Sequence, residues 1–87
     1  MFLIEKKVII QLPQGLQARY AAKFVQKASF FYSEILVIKD GRSVNGKSIM
    51  GVMSIAAREG SELTLLVTGR DEQEAVLALE EFLLTKK

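Results

Sequence analysis

Gln17, Arg19 and Ser48 are the residues of this chain whose side chains and settings invite a chemical reading. Gln17 lies in "QGLQARYAA" (14–22), a loop running into what reads as the first turn of a helix. Its carboxamide donates and accepts hydrogen bonds but does not titrate, so it cannot carry a phosphoryl group as an imidazole does. Taken alone it is a polar loop residue. Arg19 stands where a helix carries partial positive charge, which disfavours a cation by about 0.3–1 kcal/mol. Gly15, just upstream, lets the backbone approach another group closely. The pair reads either as a place for an anion or an acidic partner, or as a solvated surface arginine beside a turn.

Ser48 opens "SIMGVMSIAA" (48–57), which reads as a short helix. A serine in that position caps free backbone N–H groups, worth roughly 0.5–2 kcal/mol. Ile49, Met50, Val52 and Met53 crowd into the next turns around Gly51. So short a helix cannot bury them all, and those left outside form an apolar patch suited to docking. A phosphate on Ser48 would add about −1.5 to −2 charges at neutral pH, at a helix end that tolerates anions.

The composition removes other chemistry. There is no histidine and no cysteine. That rules out a Ser-His-Asp triad, histidine acid–base catalysis, the usual zinc sites, disulfides and a thiol nucleophile. No pair of carboxylates sits in a loop resembling an active site, so we expect no enzymatic activity, no metal and no cofactor. The net charge of +2 is too small to argue for direct nucleic-acid binding. No stretch approaches the roughly 18 apolar residues of a membrane span, and the charged start "MFLIEKKVIIQLP" does not read as a signal peptide. The expectation is a cytoplasmic protein of 87 residues forming one domain, 1–87, with no membrane partner.

The elements that must hold these residues follow from periodicity. Residues 2–10 alternate as a strand, with Val8 and Ile10 on one face and Ile9 on the other, ended by Pro13 and Gly15. Residues 18–29 place Ala21, Phe24, Val25 and Ala28 at helical spacing. Residues 34–39 and 42–45 read as strands joined by Asp40-Gly41, a pair suited to a type I′ turn. A short helix at 48–57 and a buried strand at 63–69 follow. The last helix opens on Asp71 and Glu74, read as a capping box, and buries Ala75, Ala78, Leu79, Phe82 and Leu83. "SFFYSE" (29–34) reads mainly as core packing, with one of Phe30, Phe31 or Tyr32 as the alternative partner-facing ring. The order β-α-β-β-α-β-α predicts an α+β open-faced sandwich, with helices on one face of a sheet.

With these segments in place, the chain resembles the HPr family, the small phosphocarriers of the bacterial sugar phosphotransferase system. The resemblance rests on "GLQAR" (15–19), "VNGKSIMGVMS" (44–54) and "GRDEQEAVLALEEF" (69–82), and extends over essentially the whole chain. It implies a four-stranded antiparallel sheet covered on one face by three helices. In the family the first motif normally reads Gly-Leu/Ile-His-Ala-Arg-Pro, and its histidine passes phosphate from enzyme I to enzymes II. Gln17 occupies that position here, as in the subgroup called Crh, the catabolite repression HPr of Bacillus-type bacteria. The resemblance then implies that Ser48 is the serine modified by HPr kinase/phosphorylase, and that the phosphorylated form is a corepressor of catabolite control protein A, a LacI-type regulator. It also places Gln17, Arg19, Ile49, Met50 and Met53 on a shared docking face. Tyr20 departs from the family pattern, which has proline there.

The leading expectation is therefore a non-enzymatic regulatory phosphoprotein in carbon catabolite repression. The alternative is an HPr-type phosphocarrier, which the lack of histidine opposes. An unrelated ligand-sensing or RNA-binding module is the reading from a different class, opposed by the near-neutral charge. The chain is expected to be a monomer, with exchange of the first strand between two copies as the route to a homodimer, because the 11–15 loop offers that strand little anchorage.

Overall fold

Alternation in the first segment sends Val8 inward and leaves Ile9 outside, and the register of the sheet follows from it. The computed structural model describes residues 2–86. Its elements are β1 (Leu3–Ile9), α1 (Ala18–Ser29), β2 (Glu34–Lys39), β3 (Arg42–Asn45), α2 (Ile49–Ser54), β4 (Glu62–Thr68) and α3 (Glu72–Leu83). The order is the one read from the sequence.

The strands form one antiparallel sheet in the order β1-β4-β2-β3. In β4, Leu63, Leu65 and Val67 are buried, and Ile35 and Val37 lie beside them from β2. The helices cover that face: Ala21, Phe24, Val25 and Ala28 of α1, Val52 of α2, and Ala75, Val76, Leu79 and Leu83 of α3 join the strand side chains in one core. Among the described residues no helix lies on the opposite face, where Leu36 pairs with Leu66 across β2 and β4.

The β2–β3 turn has Asp40 at φ 51° and Gly41 at φ 81°, the positive pair that a type I′ hairpin needs. α1 runs over the predicted residues and buries the predicted face. α2 is shorter than the 48–57 expected. It stops at Ser54, because Ala56 turns to φ 49° and Ala57 goes into the core instead of continuing the helix. In α3, Val76 is buried, whereas Ala78 and Phe82 are only half-buried at the edge facing α1.

Two other expectations are corrected. The capping box at Asp71 does not form, because the Asp71 carboxylate makes no bond to its own helix. It accepts instead from Tyr32 N–H at 2.8 Å, Ser33 N–H at 2.9 Å and the Ser33 hydroxyl at 2.5 Å. Glu72 caps the turn, accepting from Gly69 N–H at 2.8 Å, while its other oxygen accepts from Phe2 N–H at 2.8 Å. The segment after β1 is also well anchored. Ile10 N–H donates to Ser61 O, Gln11 N–H to Leu83 O, and Leu12 is fully buried.

Candidate docking and modification site

Loop 14–19 owes its path to backbone geometry. Gln14 and Gly15 both have positive φ, 69° and 71°. Gly15 is buried, and a Cβ there would overlap the Ala57 carbonyl and the Arg58 backbone, so the close approach expected of this glycine is made to the chain's own backbone. Leu16 is fully buried, and its N–H donates to Ala57 O at 2.9 Å. Having sent Leu16 inward, the chain leaves Gln17, Ala18 and Arg19 exposed.

Gln17 is the N-cap of α1, extended at φ −122° and ψ 153°, and its side chain makes no capping bond. Ala18 follows at φ 44°, a left-handed conformation that costs an L-residue on the order of 1–2 kcal/mol. Arg19 projects from the first turn, which contains no acidic residue, with its guanidinium 5.6 Å from the Tyr20 ring centroid.

The structure supplies a place for Tyr20. Its N–H donates to Gln17 O at 2.9 Å, closing the first turn. Its half-buried ring packs against Phe82, centroids 6.4 Å apart, and Phe82 in turn packs on Phe24. A tyrosine here thus extends the contact between α1 and α3, in addition to starting the helix.

Ser48 is half-buried and extended, and its hydroxyl accepts from Gly51 N–H at 3.1 Å, the cap expected from the sequence. Its N–H donates to Asn45 O, and the Asn45 side chain accepts from Lys47 N–H at 2.8 Å, so the β3–α2 corner is hydrogen-bonded on both sides of the serine. Beyond the cap, Val52 is fully buried while Met50 is 80% exposed, with Ile49 and Met53 exposed to 46% and 45%. One inward anchor is enough to seat so short a helix, and the other three apolar side chains are left in water.

The two segments meet. α1 packs on α2, and the Leu16–Ala57 hydrogen bond ties loop 14–19 to the residues that follow α2. At this location a serine hydroxyl can accept a phosphoryl group. An amide at position 17 cannot, since it has no nucleophilic lone pair to match an imidazole's. Among the described residues no group of three or more His, Cys, Asp or Glu is placed to hold a metal ion.

Sequence reasoning misplaced one segment. Of the aromatic run 30–32, only Phe31 packs against the core, while Phe30 and Tyr32 are 82% and 76% exposed. The Arg70 guanidinium lies 3.9 Å from the Tyr32 ring centroid. Three consecutive aromatics in a turn were the available signal, because neighbouring side chains in a turn cannot all point inward. The Asp71 latch onto this turn had no local signature. Its Ser33 hydroxyl bond and the two backbone N–H bonds hold the Asp71 carboxyl below the ordinary carboxylate range.

Comparison with known proteins gives a consistent picture. The family model described as the PTS HPr component phosphorylation site matches residues 4–85. The chain is 56% identical over 81 residues to the HPr-like protein Crh of Halalkalibacterium halodurans, covering 93% of this chain and 96% of that one. Its structure is similar to the crystal structure of the phosphocarrier protein HPr from Bacillus anthracis, with a TM-score of 0.92 and 47% identity over 93% of this chain and 96% of the other. It is also similar to crystalline Crh of Bacillus subtilis, described as a dimer with a swapped domain, with a TM-score of 0.77 and 48% identity over 95% of each chain.

Proposed function

The chain belongs to the HPr family, and from that premise we propose that it is a non-enzymatic regulatory phosphoprotein, switched at Ser48 in carbon catabolite repression. HPr kinase/phosphorylase places the phosphate on Ser48, and the modified protein is a corepressor of catabolite control protein A. Gln17 takes the position of the family's phosphoryl-accepting histidine, and the chain has no other histidine to replace it. The observation that carries the reading is this loss set beside a serine that caps α2 next to exposed Ile49, Met50 and Met53. Arg19, Gln17 and these apolar residues form the docking face, and the phosphate adds the charge that the regulator reads.

The Ser48 hydroxyl is an acceptor of a hydrogen bond from Gly51, so esterification keeps oxygen at the cap position. Phosphorylation on this reading changes the charge of a preformed surface without requiring α2 to unfold. β1 is an edge strand paired to β4 alone. An exchange of β1 between two copies would transfer its ladder, and the bonds made by Ile10 and Gln11, to the partner copy.

The test is incubation with HPr kinase/phosphorylase and ATP, site mapping by mass spectrometry, and titration of the regulator with both forms. The expected result is one phosphate, on Ser48, and tighter regulator binding with it. A phosphate elsewhere, or equal affinity of the two forms, defeats the reading. Incubation with phosphoenolpyruvate and enzyme I is expected to leave the protein unlabelled, and an acid-labile phosphate would favour the phosphocarrier alternative.

A further inference from the structure

The α1–β2 turn presents a second surface, independent of the Ser48 reading. Phe31 occupies the inward position, which forces the rings on either side outward. Phe30 packs edge-on to Phe31, centroids 5.4 Å apart, and beside them an open cleft of about 350 Å³ runs between α1 and α3, lined by Gln26, Lys27, Phe30, Phe31 and Ala78. We propose that this turn, with Lys27 and Arg70, docks an acidic peptide segment of a partner protein that inserts an apolar side chain beside Phe30.

The backbone that carries the rings is fastened before any partner arrives. The Asp71 carboxylate fixes Tyr32 and Ser33 by three hydrogen bonds, and Lys47 Nζ donates to Phe31 O at 2.7 Å. A surface whose backbone is already fastened gives up less entropy on binding. Exposed aromatics and arginine on such a frame are the residue types that dominate binding energy at interfaces.

The charge of the partner follows from the unpaired cations. Among the described residues, neither Lys27 nor Arg70 makes an ion pair. The Arg70 guanidinium lies over the Tyr32 ring, 3.9 Å from its centroid, a contact that does not use up its five N–H donors. The adjacent Asp71 carboxylate is already engaged with Tyr32 and Ser33 and offers these cations no partner. A carboxylate brought by a binding segment therefore meets cations that no ion pair occupies, with Glu74 the nearby acid whose charge it must displace, and its apolar neighbour meets the rings.

The surface uses other residues than the one around Ser48, although the Lys47 bond to Phe31 O joins the two at the β3–α2 corner. It lies at the C-terminal end of α1, and Arg19 at the N-terminal end. Eight helical positions separate Arg19 from Lys27, about 12 Å along the axis, and Phe30 lies beyond the last turn.

The test pans a displayed library of random 12-residue peptides against the wild-type protein and, in parallel, against Phe30→Ser/Tyr32→Ser. Both substituted rings are exposed, and melting curves verify that the variant is folded. The expected result is a set of peptides combining Asp or Glu with Leu, Phe or Trp, enriched on the wild type alone. A synthetic peptide from that set is then expected to bind at least about tenfold more weakly to the double-serine variant and to Arg70→Glu. Its amide chemical-shift changes are expected at residues 26–33 and 70, away from 49–53. Enrichment of basic or uncharged peptides, no enrichment over the variant, or shifts confined to α2 would overturn the proposal. So would a concentration-dependent dimer of the wild type that the double-serine change dissolves, since the occupant would then be a second copy.

Discussion

Asp71 joins the α1–β2 turn to the start of α3 through hydrogen bonds to residues 38 and 39 positions away. The Ser33 hydroxyl bond and backbone bonds from Tyr32 and Ser33 depress its pKa, so its contribution to stability is present above the ordinary Asp value of about 4. That contribution is lost as pH falls through the lower, folded-state value. Asp71→Asn is therefore expected to lower the melting temperature at pH 7 and to narrow the gap to wild type as pH approaches 3, as thermal melts across that range would show. Gly15 is a second such position. Its φ of 71° and the backbone of Ala57 and Arg58 against it leave no room for a methyl group. Gly15→Ala is expected to cost about 2 kcal/mol or more by urea titration. At Tyr20 the contact with Phe82 is half-buried, and Tyr20→Ala is expected to cost on the order of 2 kcal/mol.

The two helices next to loop 14–19 do different work. α1 has two full turns with side chains buried on one face, and that packing holds it. α2 has six residues, held by a serine cap at one end and Val52 beneath it. Its outward face is thus free to vary in chemistry without loss of fold. Met50→Ser is expected to shift stability by no more than about 0.5 kcal/mol, a few degrees in melting temperature, and, on the proposed function, to weaken binding of the phosphorylated protein to the regulator. Val52→Ala, on the other side of the same helix, is expected to cost about 2 kcal/mol. Calorimetry of both variants checks the split.

For the molecule as a whole, one core carries the stability. Phe24 is its largest fully buried side chain, set between the sheet and Phe82. A chain of 87 residues has total stability of about 4–13 kcal/mol. Phe24→Ala removes about 3–5 kcal/mol of that, and denaturant unfolding is expected to show a variant at the margin of folding at 37 °C. Val8 of the edge strand β1 belongs to this core, so an exchange of β1 between copies would have to set the partner copy's strand in its place.

The amino-acid order alone determined the element sequence, the buried face of α1, the type I′ turn at Asp40-Gly41 and the cap at Ser48. Each depends on residues within about four positions of one another, where helical and strand periodicity and local turn chemistry operate. The motifs around Gln17 and Ser48 were equally legible, because each is a continuous run. The tertiary structure decided where Asp71 spends its carboxylate, why α2 stops at Ser54, how the 10–16 segment is anchored, what Tyr20 packs against, and which rings of 30–32 face water. Those outcomes depend on partners from distant parts of the chain, and only the closed core places them within hydrogen-bonding and contact range.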